Sequence, residues 1–290
     1  MKTINYLLLL GIGIIWGSQF FFVDLVISSI TPITLAAYKA ILGTITLAVL
    51  HLFNGKKERQ PAGQKVWSLF IWIAILEAVV PFILIGWGQQ YINSSTASIL
   101  LGTVPIFTLI FMKIAAPQEK LPLQKWVSIF IGFGGLCLLF GPTLSSLSFS
   151  GNVMGYLALV GASMSFALSL ILIKRLPPIS SILAMRNVLF VASVLLLPLA
   201  ILFEEPFHIR LSWQQAIDVM ILGVFQAGIV YMLYNTLIRR TNAAFASLTN
   251  YLVPLFGILL GTLILGDKVT WNSIAALVVI FISLAIGEKS

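Results

Sequence analysis

The stretch Tyr6-Leu-Leu-Leu-Leu-Gly11 near the start of the chain returns as Tyr156-Leu-Ala-Leu-Val-Gly161, about half a chain later. Further along, Ala97-Ser98 returns as Ala246-Ser247 at a similar separation. Recurrences in the same order indicate an internal duplication. If each half contains an odd number of membrane spans, the second half is inverted relative to the first, an arrangement typical of secondary transporters.

Composition places the chain in a membrane. Of its 290 residues, 59% are hydrophobic and only 9% are charged, and the mean hydropathy is +1.05. No soluble domain of this size has such a composition. The net charge of +8 does not indicate nucleic-acid binding, because the basic residues stand at the edges of apolar runs and leave no basic soluble face. Cys137 is the only cysteine, which excludes an intrachain disulfide.

A membrane span needs about 20 apolar residues. Cutting the apolar runs at charges and turn residues gives ten spans, five in each half. They cover residues 4–26, 32–53, 67–88, 95–115 and 126–142, then 152–174, 180–203, 213–238, 243–265 and 271–287. We therefore predict an all-α polytopic membrane protein in which residues 1–146 and 147–290 form two inverted five-helix repeats.

The distribution of basic residues predicts the orientation, because cytoplasmic loops retain lysine and arginine. Only Arg210 and Lys268 fall in segments that this topology places outside, while Lys39 and Arg186 fall within spans. The other thirteen basic residues lie inside: Lys2, Lys56, Lys57, Arg59, Lys65, Lys113, Lys120, Lys125, Lys174, Arg175, Arg239, Arg240 and Lys289. We expect both termini in the cytoplasm and the protein in the cytoplasmic (inner) membrane.

Tryptophans at the span ends support inversion. Trp67 and Trp126 open the third and fifth spans at the predicted inner face, whereas Trp213 and Trp271 open the eighth and tenth at the outer face. These are matching positions of the two halves on opposite surfaces, and each suits the aromatic belt of a membrane interface.

Several motifs resemble the EamA-type carriers of the drug/metabolite transporter superfamily. The first span contains Trp16-Gly17-Ser18, close to a signature of that family, and the second opens with Thr31-Pro32. Lys39 stands where the family usually has an arginine, and the seventh span supplies Arg186. The resemblance implies a ten-helix carrier with two EamA-like repeats that handles amino acids, other small metabolites or drugs.

The ends of the fourth and ninth spans extend the resemblance. Pro105 and Pro254 are followed by Glu119-Lys120-Leu121 and by Leu265-Gly266-Asp267-Lys268-Val269-Thr270, similar to the family's Leu-Gly-Glu-Arg-Leu-Thr ending. Each proline removes a backbone donor and frees the carbonyl four residues earlier. Such carbonyls are tolerated in a membrane only against protein or a watery cavity, which predicts a site between these two spans.

Glu77 stands near the middle of the third span, where a carboxylate is costly. Two hypotheses follow: cation recognition or proton coupling, or a structural ion pair with Lys39 or Arg186. For these two cations we favour a structural or gating role, because long cationic side chains tie helices together or reach toward the interface. Pro105 and Pro254 are assigned the same structural or gating role.

Other polar and aromatic side chains in the spans complete the candidate substrate-binding set, although small polar residues also serve helix packing. Trp16 lies too deep in the first span to reach an interface, and the eighth span has its own polar and aromatic stretch. The candidates are Trp16, Ser18, Gln19, Glu77, Ser98, Thr103, Gln226, Tyr231, Asn235, Ser247 and Asn250. We expect the first, third, fourth, sixth, eighth and ninth spans to surround a cavity.

Motifs of catalysis and of ATP binding are absent from the sequence. It contains no P-loop, no His-Glu-x-x-His zinc motif and no Gly-x-Ser-x-Gly elbow, and its two histidines, His51 and His208, stand far apart. We therefore expect no enzyme activity, no cofactor, no metal and no nucleic-acid partner.

We predict a secondary transporter that moves a small amphipathic metabolite by alternating access, with the export of an amino acid or another metabolite favoured by the resemblance. A cationic or quaternary amine is the alternative substrate class, since a carboxylate beside aromatic rings attracts such ions. A membrane-embedded enzyme or a helper subunit without transport activity is the alternative of another class. Proton coupling, and the choice between monomer and homodimer, stay open.

Overall fold

A computed structural model describes residues 2–53, 63–92, 94–118, 122–145, 153–256 and 271–288. Within them the secondary structure is helical and contains no β-strand. The first half has α1 (Lys2–Val26), α2 (Pro32–Phe53), α3 (Gln64–Gly88), α4 (Ser94–Leu101 and Val104–Ala115) and α5 (Leu123–Ser145). The second half has α6 (Val153–Ile173), α7 (Ser181–Phe203), α8 (Trp213–Arg240), α9 (Ala243–Phe256) and α10 (Trp271–Glu288).

Seven helices in the described part of the chain are long and apolar enough to cross a membrane, namely α1 to α4 and α6 to α8. Three more contain shorter apolar helical stretches, Leu123–Leu138, Ala243–Phe256 and Ile274–Ile286. The prediction of a multi-pass helical membrane protein is confirmed. The motifs at residues 119–121 and 265–270, and the predicted end of the ninth span, lie outside the described residues.

Side-chain caps begin several helices of the second half. Ser180 Oγ accepts from the Leu183 backbone N–H at 3.2 Å at the start of α7. Ser212 and Gln215 form a reciprocal capping box at the start of α8. Such caps satisfy backbone donors that have no partner within the helix. These helices therefore begin where the sequence provides serine before an apolar run.

The start of α2 is held by a carboxylate from α7's end. Glu204 Oε1 accepts from Ile33 N–H at 3.2 Å, and Glu204 Oε2 accepts from Thr34 N–H at 2.7 Å. A negative charge at a helix N-terminus is favourable, because the exposed N–H groups give that end a partial positive charge. The contact fixes the end of α7 against the beginning of α2.

Within the described residues, the helices α3, α4, α8 and α9 depart from regular α geometry. The segments Ile75–Val79 in α3 and Val224–Ile229 in α8 are π-helical and begin about half a chain apart. Helix α4 is interrupted by a turn at residues 102–103, and α9 by a turn at Leu248. Pro105 stands near the middle of the fourth span as a whole and lies in the first turn of its second piece. Proline fits there because the first N–H groups of a helix have no internal partner.

Contacts between the two halves hold the bundle together. Helix α2 packs against α7, α5 against α10, α1 against α8, and α6 against α3 and α4. Thr44 Oγ1 and Ser193 Oγ lie 3.3 Å apart where α2 meets α7. Ser128 Oγ donates to the Ser283 carbonyl at 2.7 Å, and Ser283 Oγ donates to the Ser128 carbonyl at 2.9 Å. Interhelical hydrogen bonds of this kind are common in membrane bundles.

A glycine on α2 permits close approach to α8. A Cβ atom at Gly43 would lie 2.9 Å from Leu189 Cδ1 and 3.2 Å from the Gly228 backbone nitrogen. Only glycine leaves that space, and it therefore allows α2 to reach the π-helical segment of α8.

Candidate functional site

A cavity lies among α1, α4, α6, α8 and α9 and contains about 400 Å³ of space that no protein atom occupies. Its lining is mainly apolar and aromatic, with a few polar groups, which is typical of small-molecule sites. The lining residues are Trp16, Gln19, Phe20, Leu101, Phe166, Tyr231, Tyr234, Asn250 and Val253. Both halves of the chain contribute, so the cavity exists only when they are packed together.

Aromatic rings form most of one wall. The ring centroid of Trp16 lies 4.6 Å from that of Tyr234 and 6.0 Å from that of Tyr231, both in edge-to-face arrangements, and 6.5 Å from that of Phe166. Edge-to-face packing is favourable because the ring edges are positive and the faces negative. The rings hold one another in place and present a rigid apolar surface to the cavity.

The π-helical segments direct backbone carbonyls at this region. A π turn shifts the helical hydrogen-bond pattern and is frequent at functional sites. Trp16 Nε1 donates to the Gln226 carbonyl at 3.4 Å, while Tyr231 Oη donates to the Glu77 carbonyl at 2.7 Å. Ser165 Oγ donates to the Leu76 carbonyl at 2.8 Å. Side chains from other helices thus satisfy carbonyl groups of both segments, as a membrane interior requires.

Glu77 lies in the π-helical segment of α3 and is 1% exposed. Its Oε2 atom is in hydrogen-bond contact with Ser169 Oγ on α6, and its Oε1 atom has no hydrogen-bond partner among the described residues. Of the two hypotheses for Glu77, the structural ion pair is not formed here: neither Lys39 nor Arg186, both within the described part, has a nitrogen within 4.0 Å of the Glu77 carboxyl. The carboxyl group is therefore buried without a cationic partner from these residues.

Lys39 is 2% exposed, and its ammonium group contacts an amide and a ring instead of a carboxylate. Lys39 Nζ donates to Gln19 Oε1 at 3.0 Å and lies 4.1 Å from the centroid of the Phe82 ring. Cation–π attraction replaces part of the lost hydration. Because Gln19 lines the cavity, the charge of Lys39 stands directly behind the cavity wall. Arg186 donates to Asn187 Oδ1 at 3.2 Å.

Four of the predicted site residues line the cavity: Trp16, Gln19, Tyr231 and Asn250. Ser18 and Gln226 lie beside it, bonded to each other by Gln226 Nε2 and Ser18 Oγ at 2.7 Å.

The remaining candidates are absent from the cavity lining. Thr103 Oγ1 donates to the Leu100 carbonyl at 2.6 Å, and Ser247 Oγ donates to the Ala244 carbonyl at 2.8 Å, both within their own helices. Asn235 Oδ1 accepts from Arg239 Nε at 2.8 Å near the end of α8. Ser98 is buried on α4. Pro105 and Pro254 also do not line the cavity.

Tyr234, which also lines the cavity, belongs to the polar and aromatic stretch of the eighth span but not to the candidate set. Sequence reasoning missed Phe20, Leu101, Phe166 and Val253 in the lining, and Ser169 beside Glu77. The duplication contains a signal for two of them. Tyr6 and its counterpart Tyr156 are separated by a fixed number of positions. The same separation leads from Trp16 to Phe166 and from Gln19 to Ser169. Leu101 and Val253 are ordinary apolar residues of spans, and no pattern distinguishes them from the lipid-facing ones.

The model of the EamA-like transporter family matches residues 3–141 and again residues 153–286. The chain belongs to the EamA-like transporter family. The predicted resemblance is thus confirmed. Described residues contain no group of three or more histidine, cysteine or acidic side chains that could hold a metal ion.

Relatives of this EamA-like transporter are similar to it over most of their length. The uncharacterized inner membrane transporter YedA of Escherichia coli K12 is 26% identical over 283 residues, covering 97% of this chain and 90% of the relative. The uncharacterized transporter YoaV of Bacillus subtilis is 22% identical, covering 92% and 90% of the respective chains. A protein crystal structure with 16% identity matches the fold with a TM-score of 0.81, over 99% of this chain and 97% of that one. Family and relatives point to transport rather than to catalysis.

Proposed function

We propose that this EamA-like protein is a ten-helix secondary transporter of the cytoplasmic membrane whose halves, residues 1–146 and 147–290, are inverted copies. Two matches to one family model, and π-helical segments about half a chain apart, support this arrangement. In such carriers the halves rock against each other and expose a central site alternately to each side. Both termini face the cytoplasm in this arrangement.

The cargo in this proposal is a small amphipathic metabolite, and export of an amino acid is the preferred physiology. One observation carries the substrate class: an aromatic cavity whose wall contains Gln19, bonded to the buried ammonium of Lys39. The rings suit an apolar side chain. A carboxylate beside Gln19 gains the attraction of Lys39, which is strong in surroundings of low dielectric constant.

A binding screen tests this substrate class. Purified protein in detergent is heated with single amino acids, amines and drugs, because a ligand that binds the folded state raises the apparent melting temperature. We expect apolar amino acids to raise it, and their amides, which lack the carboxylate, to do so much less. Lys39→Met should remove the difference between acid and amide. An equal response to both in the wild type would contradict the assignment of the carboxylate.

A cationic or quaternary amine is the second candidate substrate, supported by the rings of Trp16, Phe166, Tyr231 and Tyr234 around the cavity. Aromatic faces bind quaternary ammonium groups by cation–π attraction. The same screen separates the candidates: tetramethylammonium and choline should shift the melting temperature under the second proposal, and the shift should survive Lys39→Met.

A further inference from the structure

The contacts of Ser169 bear on the protonation state of Glu77. Ser169 Oγ lies 2.7 Å from the Phe166 carbonyl oxygen and is also in hydrogen-bond contact with Glu77 Oε2. A serine hydroxyl has one proton and donates one full hydrogen bond. A backbone carbonyl cannot donate, but a carboxylic acid can. Both contacts are full hydrogen bonds when Glu77 donates its own proton to Ser169 Oγ and Ser169 donates to Phe166.

Ser163 on the same helix offers a comparison. Its Oγ atom lies 2.9 Å from the Leu100 carbonyl and 2.9 Å from the Leu159 carbonyl, so the single hydroxyl proton is shared between two acceptors that carry none. At Ser169 one of the two acceptors is a carboxyl group, which is able to supply the second proton. The difference lies in Glu77, not in the serine.

Burial favours the same state. An ionised carboxylate with one hydrogen bond and no cation is far more costly in an apolar interior than a neutral acid. Glu77 is 1% exposed, and its Oε1 atom has no partner among the described residues. As the carbonyl oxygen of an acid, Oε1 tolerates this better than an oxygen that shares a full negative charge.

The charged and titratable groups on the helices that pack against Glu77 form no ion pair with its carboxyl. Helix α8 presents Tyr231, which donates to the Glu77 backbone carbonyl, and Tyr234, which lies within electrostatic range. Helix α2 carries Lys39, whose ammonium contacts Gln19 and Phe82. Helix α7 carries Arg186, which is bonded to Asn187, and α6 presents Ser169. None of these groups places a positive charge against the carboxyl.

We propose that Glu77 is a proton-binding residue of the transport cycle, which holds a proton in this conformation and releases it in another. In the release step the Oε2–H bond of Glu77 breaks, the proton passes to water that enters from the cavity, and a carboxylate remains. The hydroxyl of Ser169 then rotates from the Phe166 carbonyl to donate to that carboxylate. The Phe166 carbonyl, which remains part of the α6 backbone, then loses the hydrogen bond from Ser169.

Two cavity-lining residues connect the proton site to the cargo. Phe166 accepts the hydrogen bond of Ser169, and Tyr231 donates to the backbone carbonyl of Glu77. Cargo that displaces either residue would therefore also displace the surroundings of the acid, through the backbone of Glu77 or through Ser169. The coupling of proton and cargo rests on the proposed alternating-access cycle.

Infrared difference spectroscopy of the purified protein tests the proton without any cargo. We expect a carboxylic-acid C=O band in the wild type that is absent in Glu77→Gln and that disappears when the pH is raised far enough to ionise the acid. Asp218→Asn is the matched control, because Asp218 is also 1% exposed but lies on α8 away from the cavity lining, and it should keep the band. Ser169→Ala should keep the band at a shifted frequency, since the acid loses its acceptor.

The outcomes of this experiment are distinct. A wild-type spectrum without the Glu77 band, or with a Glu77 band that does not titrate, overturns the proposal. Glu77→Asp keeps an acid at the position and replaces the glutamine variant if that variant does not fold. Its band should titrate over a displaced pH range.

Flux measurements test the coupling. Proteoliposomes are given a radiolabelled amino-acid mixture with and without an imposed pH gradient. The gradient should raise wild-type flux several-fold and leave Glu77→Gln flux unchanged, while exchange without a gradient persists in both. A gradient effect of equal size in both proteins overturns the coupling role of Glu77. Absence of wild-type flux counts against the proposed substrate class instead, and the infrared titration then decides the proton site.

Discussion

Lys39 and Glu77 are both buried in membrane-spanning helices, yet their surroundings differ. Lys39 contacts the Gln19 amide and the Phe82 ring, which together stabilise a positive charge. Glu77 contacts a single hydroxyl, and in the proposed proton-binding role it is a neutral acid in this conformation. Two residues that the sequence suggests as an ion pair thus serve separate purposes, because each has local partners that the chain brings from other positions.

The contact of Gln19 with Lys39 gives a prediction at the residue scale. Gln19→Ala removes the hydrogen-bond acceptor of a buried ammonium and should destabilise the protein by about 1–3 kcal/mol. In a Lys39→Met background the same change should cost much less, since no buried charge is left without a partner. Thermal unfolding of the four proteins measures this coupling. Equal costs of Gln19→Ala in both backgrounds would contradict it.

At the scale of the element, the π-helical segments of α3 and α8 are the irregularities that organise the site. Each has a carbonyl bonded to an aromatic side chain from another helix: Glu77 to Tyr231, and Gln226 to Trp16. In lipid an unpaired carbonyl has no water to bind. The irregular segments are therefore stable only where such donors exist, which ties them to the cavity wall.

Tyr231→Phe tests this dependence. The substitution retains the ring and removes the donor to the Glu77 carbonyl, so the free energy of unfolding should fall by about 1–3 kcal/mol. Tyr38→Phe is a matched control: Tyr38 Oη donates to the Pro206 carbonyl at 2.8 Å in a partly buried position at the end of the helices, where water replaces it. Denaturation of both variants should give the larger loss for Tyr231→Phe. An equal loss of unfolding free energy in Tyr231→Phe and Tyr38→Phe would argue against a particular requirement for a donor at the π-helical segment.

At the scale of the whole molecule, packing between the halves creates the cavity, with α1 and α4 from one half and α6, α8 and α9 from the other. The proposed inversion requires a definite orientation in the membrane. Gln64 is the first residue of α3, and His208 lies between α7 and α8; the basic-residue distribution assigns these two positions to opposite sides of the membrane.

Cysteine labelling tests that orientation. In a Cys137→Ser background, an impermeant thiol reagent added to intact cells should label His208→Cys, because the proposed orientation places this loop outside and the native side chain is 82% exposed. Gln64→Cys should react only after the cells are permeabilised, because the proposed orientation places it in the cytoplasm. Labelling of Gln64→Cys in intact cells would reverse the proposed orientation.

The sequence by itself determined the class of protein and the helices, because hydrophobic length and charge placement act locally along the chain. Its duplication also contained hints of Phe166 and Ser169. Only the tertiary structure decided which side chains surround the cavity and which polar groups meet. Lys39 contacts Gln19, twenty positions earlier, and Glu77 contacts Ser169 from the other half. Spacing within one helix cannot report the rotation of a neighbouring helix, and that rotation selects the partner of each buried charge.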